Sequence, residues 1–449
     1  MQEKPTNHVK TLRKVFIKTY GCQMNVYDTE RIAGLLRGCG YEMTPNVSAA
    51  DVILLNTCSI REKPEHKIYS ILGRLKGYKD ANPSLILGVG GCVAQQEGDR
   101  LFEKAPHLDL VFGTHTIDRL PELIRQVQTE RARVCRTDMQ EEGYSDQGVC
   151  RDVSPGVSAY VSIIRGCNNY CSYCVVPYVR GRERSRPPED IIAEVEHLVR
   201  QGMKEVTLLG QNVNSYGKDN GTPGSFPRLL KAVNEVAGIE RIRFITSHPK
   251  DLGEDLIRCF GELDKLCEHI HLPVQSGSDK ILRLMNRAYT RDEYLAKVER
   301  LRRICPSIGI TSDVIVGFSG ETDEDFEQTL ALMEAVRFDD LFSFNYSDRP
   351  MTAAIRFEGK IPAEVKAKRF SLLQELQNEH SLIRNRTLLN TEEEVLVEGM
   401  SKKDRSHITG KTRSNKTVIA EGGEEFTGRL VPVCIRSVTA HTLSGDIVC

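Results

Sequence analysis

Cys167, Cys171 and Cys174 fall in the run Arg165-Gly166-Cys167-Asn168-Asn169-Tyr170-Cys171-Ser172-Tyr173-Cys174. Three thiolates on one short loop can each take one iron of a cubane iron–sulfur cluster, which is normally held by four cysteines. The fourth iron is then left for a small chelating molecule. Cys-x2-Cys pairs also make zinc sites, and zinc is the competing reading. Zinc needs a further donor close by, and Val175 to Glu189 contains neither cysteine nor histidine.

A second trio is spread along the N-terminal part. Apolar runs at Val15-Phe16-Ile17, Val52-Ile53-Leu54-Leu55 and Leu85-Ile86-Leu87-Gly88-Val89 are followed by Tyr20-Gly21-Cys22, Asn56-Thr57-Cys58 and Gly90-Gly91-Cys92. Amphipathic stretches at Thr29–Arg37 and from about Glu65 to Tyr78 separate them. That β-α-β-α-β rhythm predicts an open parallel sheet with crossover helices. Ligands bind at the carboxyl rim of such sheets, so Cys22, Cys58 and Cys92 are expected to converge on a second metal site. The alternative is that they are buried free cysteines, which are common in cores. Core cysteines, however, fall inside strands or on helix faces, not three times at one loop position. Gly21, Gly90 and Gly91 are expected to let the backbone approach a bulky ligand. Cys39, Cys135, Cys150, Cys259, Cys267, Cys305, Cys434 and Cys449 lack such spacing and read as packing or incidental residues.

A chain of 449 residues is expected to form roughly three domains. With 61 Lys+Arg against 62 Asp+Glu, no global field announces a nucleic-acid partner, so any basic patch must be local. The polar, charged start and the lack of a membrane-length apolar run predict a cytoplasmic protein with no membrane partner. Clustered cysteines in that compartment are more often metal-binding or catalytic than disulfide-bonded.

Beyond a helix at Leu120–Arg133 and a polar linker reaching about Asp152, six strand-like runs alternate with room for helices. They begin at Ser158, Val206, Ile242, His269, Thr311 and Leu341. The pattern predicts a partial (β/α)6 barrel, whose active site forms at the carboxyl rim. Candidates there are Gly210, Gln211, Ser247, Gln275 and Asp313; Ser247, Gln275 and Asp313, each taken alone, read more readily as structural polar caps than as ligands. Arg180, Arg182, Arg184 and Arg186 alternate, which suits either one basic face or a solvated loop. After a helix at Lys366–Arg386, five short strands predict a small OB-like barrel. Lys402, Lys403, Arg405, Lys411, Arg413 and Lys416 lie there against the single acid Asp404. This local excess reads as a backbone-phosphate site, or as an exposed solubilising loop.

The Cys-x3-Cys-x2-Cys loop with Tyr173 before its last cysteine resembles the radical S-adenosylmethionine (SAM) superfamily. The resemblance implies that SAM chelates the open iron and is cleaved to a 5′-deoxyadenosyl radical. It also implies SAM contacts from Tyr173, Gly210, Gln211, Ser247, Gln275 and Asp313. Superfamily members often carry Gly-Gly-Glu where this chain has Gly210-Gln211-Asn212, so the carboxylate for the SAM amine is absent there. Val316-Gly317-Phe318-Ser319-Gly320-Glu321 is similar to a Gly-Phe-Pro-Gly-Glu turn expected to pack on the adenine. The N-terminal trio resembles that of the methylthiotransferases, and the basic C-terminal barrel resembles a TRAM domain, an RNA-binding module. Tyr20-Gly21-Cys22-Gln23-Met24-Asn25, Gly210-Gln211-Asn212-Val213-Asn214-Ser215 and His271-Leu272-Pro273-Val274-Gln275-Ser276-Gly277 are similar to phrases of the tRNA-modifying branch.

The resemblance implies an α/β chain of three parts: residues 13–130 with the auxiliary cluster, 153–384 as the radical SAM core and 386–449 as the TRAM domain. It implies two [4Fe–4S] clusters and two SAM molecules. The reaction is methylthiolation at carbon 2 of an isopentenyl-modified adenosine next to the tRNA anticodon. The alternatives are a ribosomal-protein aspartate or threonylcarbamoyl-modified adenosine as substrate. A monomer is expected, with the tRNA anticodon stem-loop, a reducing system and a sulfur source as partners.

Overall fold

The computed structural model describes residues 12–59, 62–139, 151–153, 155–222 and 224–448. Two units divide them, one of residues 12–139, 151–153 and 178–180, the other of 155–177 and 181–448. Cys150, Cys449 and positions 140–150 of the expected linker lie outside the described residues.

In the first unit one all-parallel sheet runs in the order Tyr41–Met43, Arg13–Tyr20, Val52–Thr57, Ile86–Gly91, Leu110–Phe112, Val134–Arg136. Val52–Thr57 and Ile86–Gly91 are buried at every position, as a sheet covered on both faces requires. Ile53, Leu55, Leu87 and Val89 pack with Ile68, Leu72 and Leu101. Leu54, Ile86, Leu110 and Phe112 turn the other way, onto Ile32, Leu36, Leu123 and Ile124. This is the two-residue alternation of a strand. The sequence reading located three of these strands. Each of the others is only three residues long, too short to carry a periodicity. Val134–Arg136 occupies part of the expected linker. The helix before it stops at Glu130, where Arg131 turns left-handed (φ 51°).

The second unit holds the six expected parallel strands. Ser158–Ser162, Glu205–Leu209 and Arg241–Phe244 pair in sequence, as do His269–His271, Gly309–Val316 and Asp340–Asn345. A parallel bridge between Ile242 and Leu266 joins the two halves. Helices Pro188–Arg200, Ser225–Asn234, Glu254–Glu262, Arg291–Ile304 and Asp323–Val336 separate successive strands. The first of them begins on proline with Glu189 and Asp190 in its first turn, matching the helix dipole. No helix among the described residues is long and apolar enough to cross a membrane.

Helix Ala363–Arg386 leads into a closed five-stranded barrel of Glu392–Met400, His407–Thr412, Thr417–Glu421, Leu443–Ile447 and Leu430–Val438. Its core is Val395, Val397, Ile408, Val418, Val433, Ile435 and Leu443. The barrel is tied to the six-stranded part by buried charge. Arg241 donates to the carbonyls of Lys411 (2.7 Å) and Glu394 (2.8 Å), and Arg243 to those of Thr412 (2.7 Å) and Arg413 (2.8 Å). Arg413 pairs with Glu268 (2.7 Å) and Lys416 with Asp339 (2.8 Å). Lys411 is partly buried and donates to Thr417 Oγ1 (2.8 Å). Three of the six expected phosphate-binding cations are therefore engaged in holding the barrel. Lys402, Lys403 and Arg405 stand exposed.

Burial favours a neutral Asp339 carboxyl, but Lys416 and Arg384 outweigh it and hold its pKa below the usual carboxylate value. A depressed folded pKa contributes stability in full above the unfolded value of about 4 and loses it as pH falls through the folded one. Asp339→Asn is expected to lower stability by about 3 kcal/mol at pH 7, because two cations lose their buried partner. Urea unfolding measures it, and the gap between the two proteins should shrink below about pH 4.

Candidate active site

Strand register brings the N-terminal cysteines together. Tyr20 pairs with Thr57 and Thr57 with Gly91, so the three strands end on one line. Cys22, Cys58 and Cys92 follow within two residues of that line on adjacent strands. The Cys58 thiol lies within hydrogen-bonding reach of Cys22. That bond, aided by Arg180 against the effect of burial, draws the Cys22 pKa below the ordinary thiol range. Burial pushes the Cys92 thiol up, with Arg180 opposing it. Arg180 is itself buried, donating from Nε to Cys92 Sγ (3.4 Å) and pairing with Asp28 (2.7 Å).

A polar lattice under this trio was not legible in the sequence. Asn25 Oδ1 accepts from the Cys22 amide (3.3 Å), and its Nδ2 donates to Asn56 Oδ1 (3.1 Å) and the Thr57 carbonyl (3.2 Å). Asn56 returns a bond to the Asn25 carbonyl (2.8 Å), and Thr57 Oγ1 donates to the Gly90 carbonyl (2.7 Å). Asparagines at a strand end and in the first turn of a helix, each within three residues of a cysteine, were the available signal. The glycines serve this internal packing. A Cβ on Gly90 would meet the Phe112 ring at 2.1 Å, one on Gly21 would meet Asn25 Oδ1 at 2.3 Å, and one on Gly91 the Thr57 carbonyl at 2.4 Å.

The second trio lies on a loop fixed from several sides. Gln211 Oε1 accepts from the Gly166 amide (2.6 Å), so the side chain expected near SAM anchors the loop that carries Cys167. Asn168 and the buried Glu183 exchange reciprocal bonds (3.2 Å each). Ser172 donates to the carbonyls of Leu284 (2.7 Å) and Met285 (3.0 Å) and accepts from the Ala354 amide (2.8 Å). Cys167 and Cys171 are buried and Cys174 is half-buried. Burial pushes the Cys167 and Cys174 thiols up to about 12, and Cys171 adds to the rise at both. Arg287 Nη1 donates to Cys171 Sγ (3.5 Å).

Three mutually repelling thiolates in so dry a place need a cationic partner, and metal binding supplies one while displacing the protons. Among the described residues no three His, Cys, Asp or Glu side chains are arranged to hold a single metal ion. Three cysteine sulfurs in each set are the donor type that a cubane cluster takes.

The remaining candidates divide. Ser247 is buried with an unpartnered hydroxyl. Gln275 is buried in a left-handed conformation (φ 72°), its backbone bridging to Asp313 and Ile315. Asp313 lies 3.4 Å from His271 Nε2. A Cβ on Gly210 would meet Ile164 at 2.4 Å. Tyr173 meets Phe318 edge-on (6.4 Å), and Phe318 is fully buried in the turn held by Glu321, which binds the Gly317 amide (2.8 Å) and Arg369 (2.7 Å). The alternating arginines share no face: Arg180 and Arg186 are buried in ion pairs while Arg182 is exposed.

Three family models match the chain: the radical SAM superfamily over residues 161–333, the uncharacterized protein family UPF0004 over 14–113 and the TRAM domain over 386–448. The chain is 51% identical over 437 residues to a protein of Syntrophus aciditrophicus named tRNA-2-methylthio-N(6)-dimethylallyladenosine synthase, covering 97% of this chain and 95% of that one. A protein of the same name from Carboxydothermus hydrogenoformans is 48% identical, covering 97% and 99%. Among solved structures, the radical S-adenosylmethionine methyltransferase TsrM of Kitasatospora setae, with cobalamin and a [4Fe-4S] cluster bound, is similar in fold at a TM-score of 0.56 and 15% identity, covering 76% of this chain and 77% of that one. The cobalamin-dependent S-adenosylmethionine radical enzyme OxsB gives 0.52 at 14% identity, covering 82% and 56%.

Gly166 has φ 80°, and a Cβ there would lie 2.0 Å from the Arg182 carbonyl oxygen. Gly166→Ala is expected to lower the stability of the second unit by about 1–3 kcal/mol, the usual cost of forcing a side chain into that region. An unchanged denaturant midpoint would contradict this account of the loop.

Proposed function

Because this chain belongs to the family of the tRNA-2-methylthio-N(6)-dimethylallyladenosine synthases, we propose that it installs a methylthio group at carbon 2 of a dimethylallyl-modified adenosine beside the tRNA anticodon. Cys167, Cys171 and Cys174 would hold one [4Fe–4S] cluster and leave an iron for SAM. Cys22, Cys58 and Cys92 would hold a second. When bound, the clusters and two SAM molecules supply a radical for an unactivated aromatic C–H and a methylated sulfur to replace its hydrogen, chemistry beyond acid–base side chains. The observation that most supports this reading is the convergence of two independent thiol trios, each with a buried arginine donating to one of its sulfurs.

The chain's own residues prepare these sites. Gln211, Glu183 and Ser172 fix the path of the cysteine loop, so the donors need little reorganisation on loading. Burial of Cys167 and Cys171 keeps water from a reactive species. Asn25 and Asn56 hold the rim on which the other trio stands. The target base must leave its stack to be modified, as base-modifying enzymes require. Lys402, Lys403 and Arg405, the exposed part of the basic stretch, would hold the RNA backbone.

Under anaerobic, reducing conditions Cys171→Ala is expected to abolish cleavage of SAM to 5′-deoxyadenosine. Cys58→Ala should leave cleavage largely intact and stop thiolation of tRNA. Thiolated tRNA from Cys58→Ala would refute the two-site assignment. Mass gain on a ribosomal protein, or on threonylcarbamoyl-modified tRNA in place of the dimethylallyl form, would replace the substrate.

Replacing Lys402, Lys403 and Arg405 together by glutamate is expected to weaken tRNA binding and flatten its salt dependence by up to about three in log–log slope, about one per lost phosphate contact. An unchanged slope would exclude these residues from the RNA interface.

A further inference from the structure

Among the described residues Arg287 is a buried cation without a carboxylate partner. It is only 7% exposed. Its Nε donates to the Tyr289 hydroxyl (2.8 Å), Nη2 to the Pro273 carbonyl (2.7 Å) and Nη1 to Cys171 Sγ (3.5 Å). The guanidinium also stacks on the Tyr289 ring at 5.1 Å. The Tyr289 hydroxyl donates in turn to the Val274 carbonyl (2.8 Å), so it is neutral.

Five other buried arginines each meet a carboxylate. Arg31 meets Asp118 (2.7 Å), Arg180 Asp28 (2.7 Å), Arg186 Glu194 (2.6 Å), Arg243 Glu205 (2.8 Å) and Arg369 Glu321 (2.7 Å). For Arg287 no carboxylate lies within ion-pair distance among the described residues. A guanidinium does not give up its proton, and an unpaired buried ion is penalised by several kcal/mol. Burial holds the neighbouring Tyr173 and Tyr289 hydroxyls neutral, which leaves the sulfur of Cys171, at 3.5 Å, as the neighbour able to carry negative charge among the described residues.

Resting on the reading of that trio as cluster ligands, we propose that Arg287 is a positioning residue whose charge and N–H···S bond hold the Cys167/Cys171/Cys174 cluster and raise its reduction potential. Net charge and hydrogen bonds to the sulfurs are what set such potentials. A cation beside the cluster stabilises the reduced, more negative state. The N-terminal trio differs, because Asp28 already neutralises Arg180.

The test uses the full chain carrying Cys22→Ala, Cys58→Ala and Cys92→Ala, so that one trio gives the signal. Arg287→Gln and Arg287→Lys are reconstituted anaerobically and titrated by EPR against potential. Arg287→Gln is expected to titrate at least about 59 mV lower than the parent, a tenfold change in a one-electron equilibrium. Arg287→Lys, which keeps the charge, should move by less than half as much. Loss of iron from the Gln variant alone would also support the charge role. A Gln midpoint lowered by less than 59 mV, equal shifts in both variants, or equal loss of iron from both overturns the proposal. A parent that takes up iron at no such site overturns the cluster reading itself, and this inference with it.

Discussion

Burying several thiols together is the constraint on which the rest of the structure depends. Burial resists the ionisation of a thiol, and a thiolate formed nearby makes the next harder to form. Cys167 and Cys174 show this plainly, both driven up to about 12 by burial and by Cys171. A protein gains nothing for its own stability by gathering sulfurs so. On the function proposed above, the arrangement is a donor set for cations that displace the thiol protons.

The two units meet that constraint by different means. The first relies on a parallel sheet, whose common register ends three neighbouring strands on one line. Asn25, Asn56 and Thr57 then bond the Cys22 amide and the carbonyls of Thr57, Asn25 and Gly90 around that line. The second relies on a single loop, so its precision comes from bonds that reach it from distant segments: Gln211, Glu183, Leu284, Met285 and Ala354. Buried charge recurs as the fastening device. Asp339 joins the small barrel to the core through Lys416 and also takes Arg384 from the helix that precedes it.

Much of this was legible because period and position are written locally. The strands lining the second unit read as apolar runs between helical stretches, and the cysteines stand where strands end. What escaped was either too short or too distant to leave a local mark. Tyr41–Met43, Leu110–Phe112 and Val134–Arg136 extend the first sheet by pairing with neighbours, with no periodicity of their own. Arg413 and Lys416 are taken up by Glu268 and Asp339, acids far off in sequence, and nothing near positions 411–416 announces that. The anchoring bond of Gln211 left no local mark, since its partner Gly166 lies 45 positions earlier. Arg287 carried no signal at all; only packing places it against Cys171.

The central claim is that each thiol trio takes a cubane of its own. Iron and acid-labile sulfide counted per chain after anaerobic reconstitution test it most directly. The account predicts about eight of each, falling to about four when either trio is replaced by alanine. Zinc in place of iron, or about four irons in the intact chain, would contradict it.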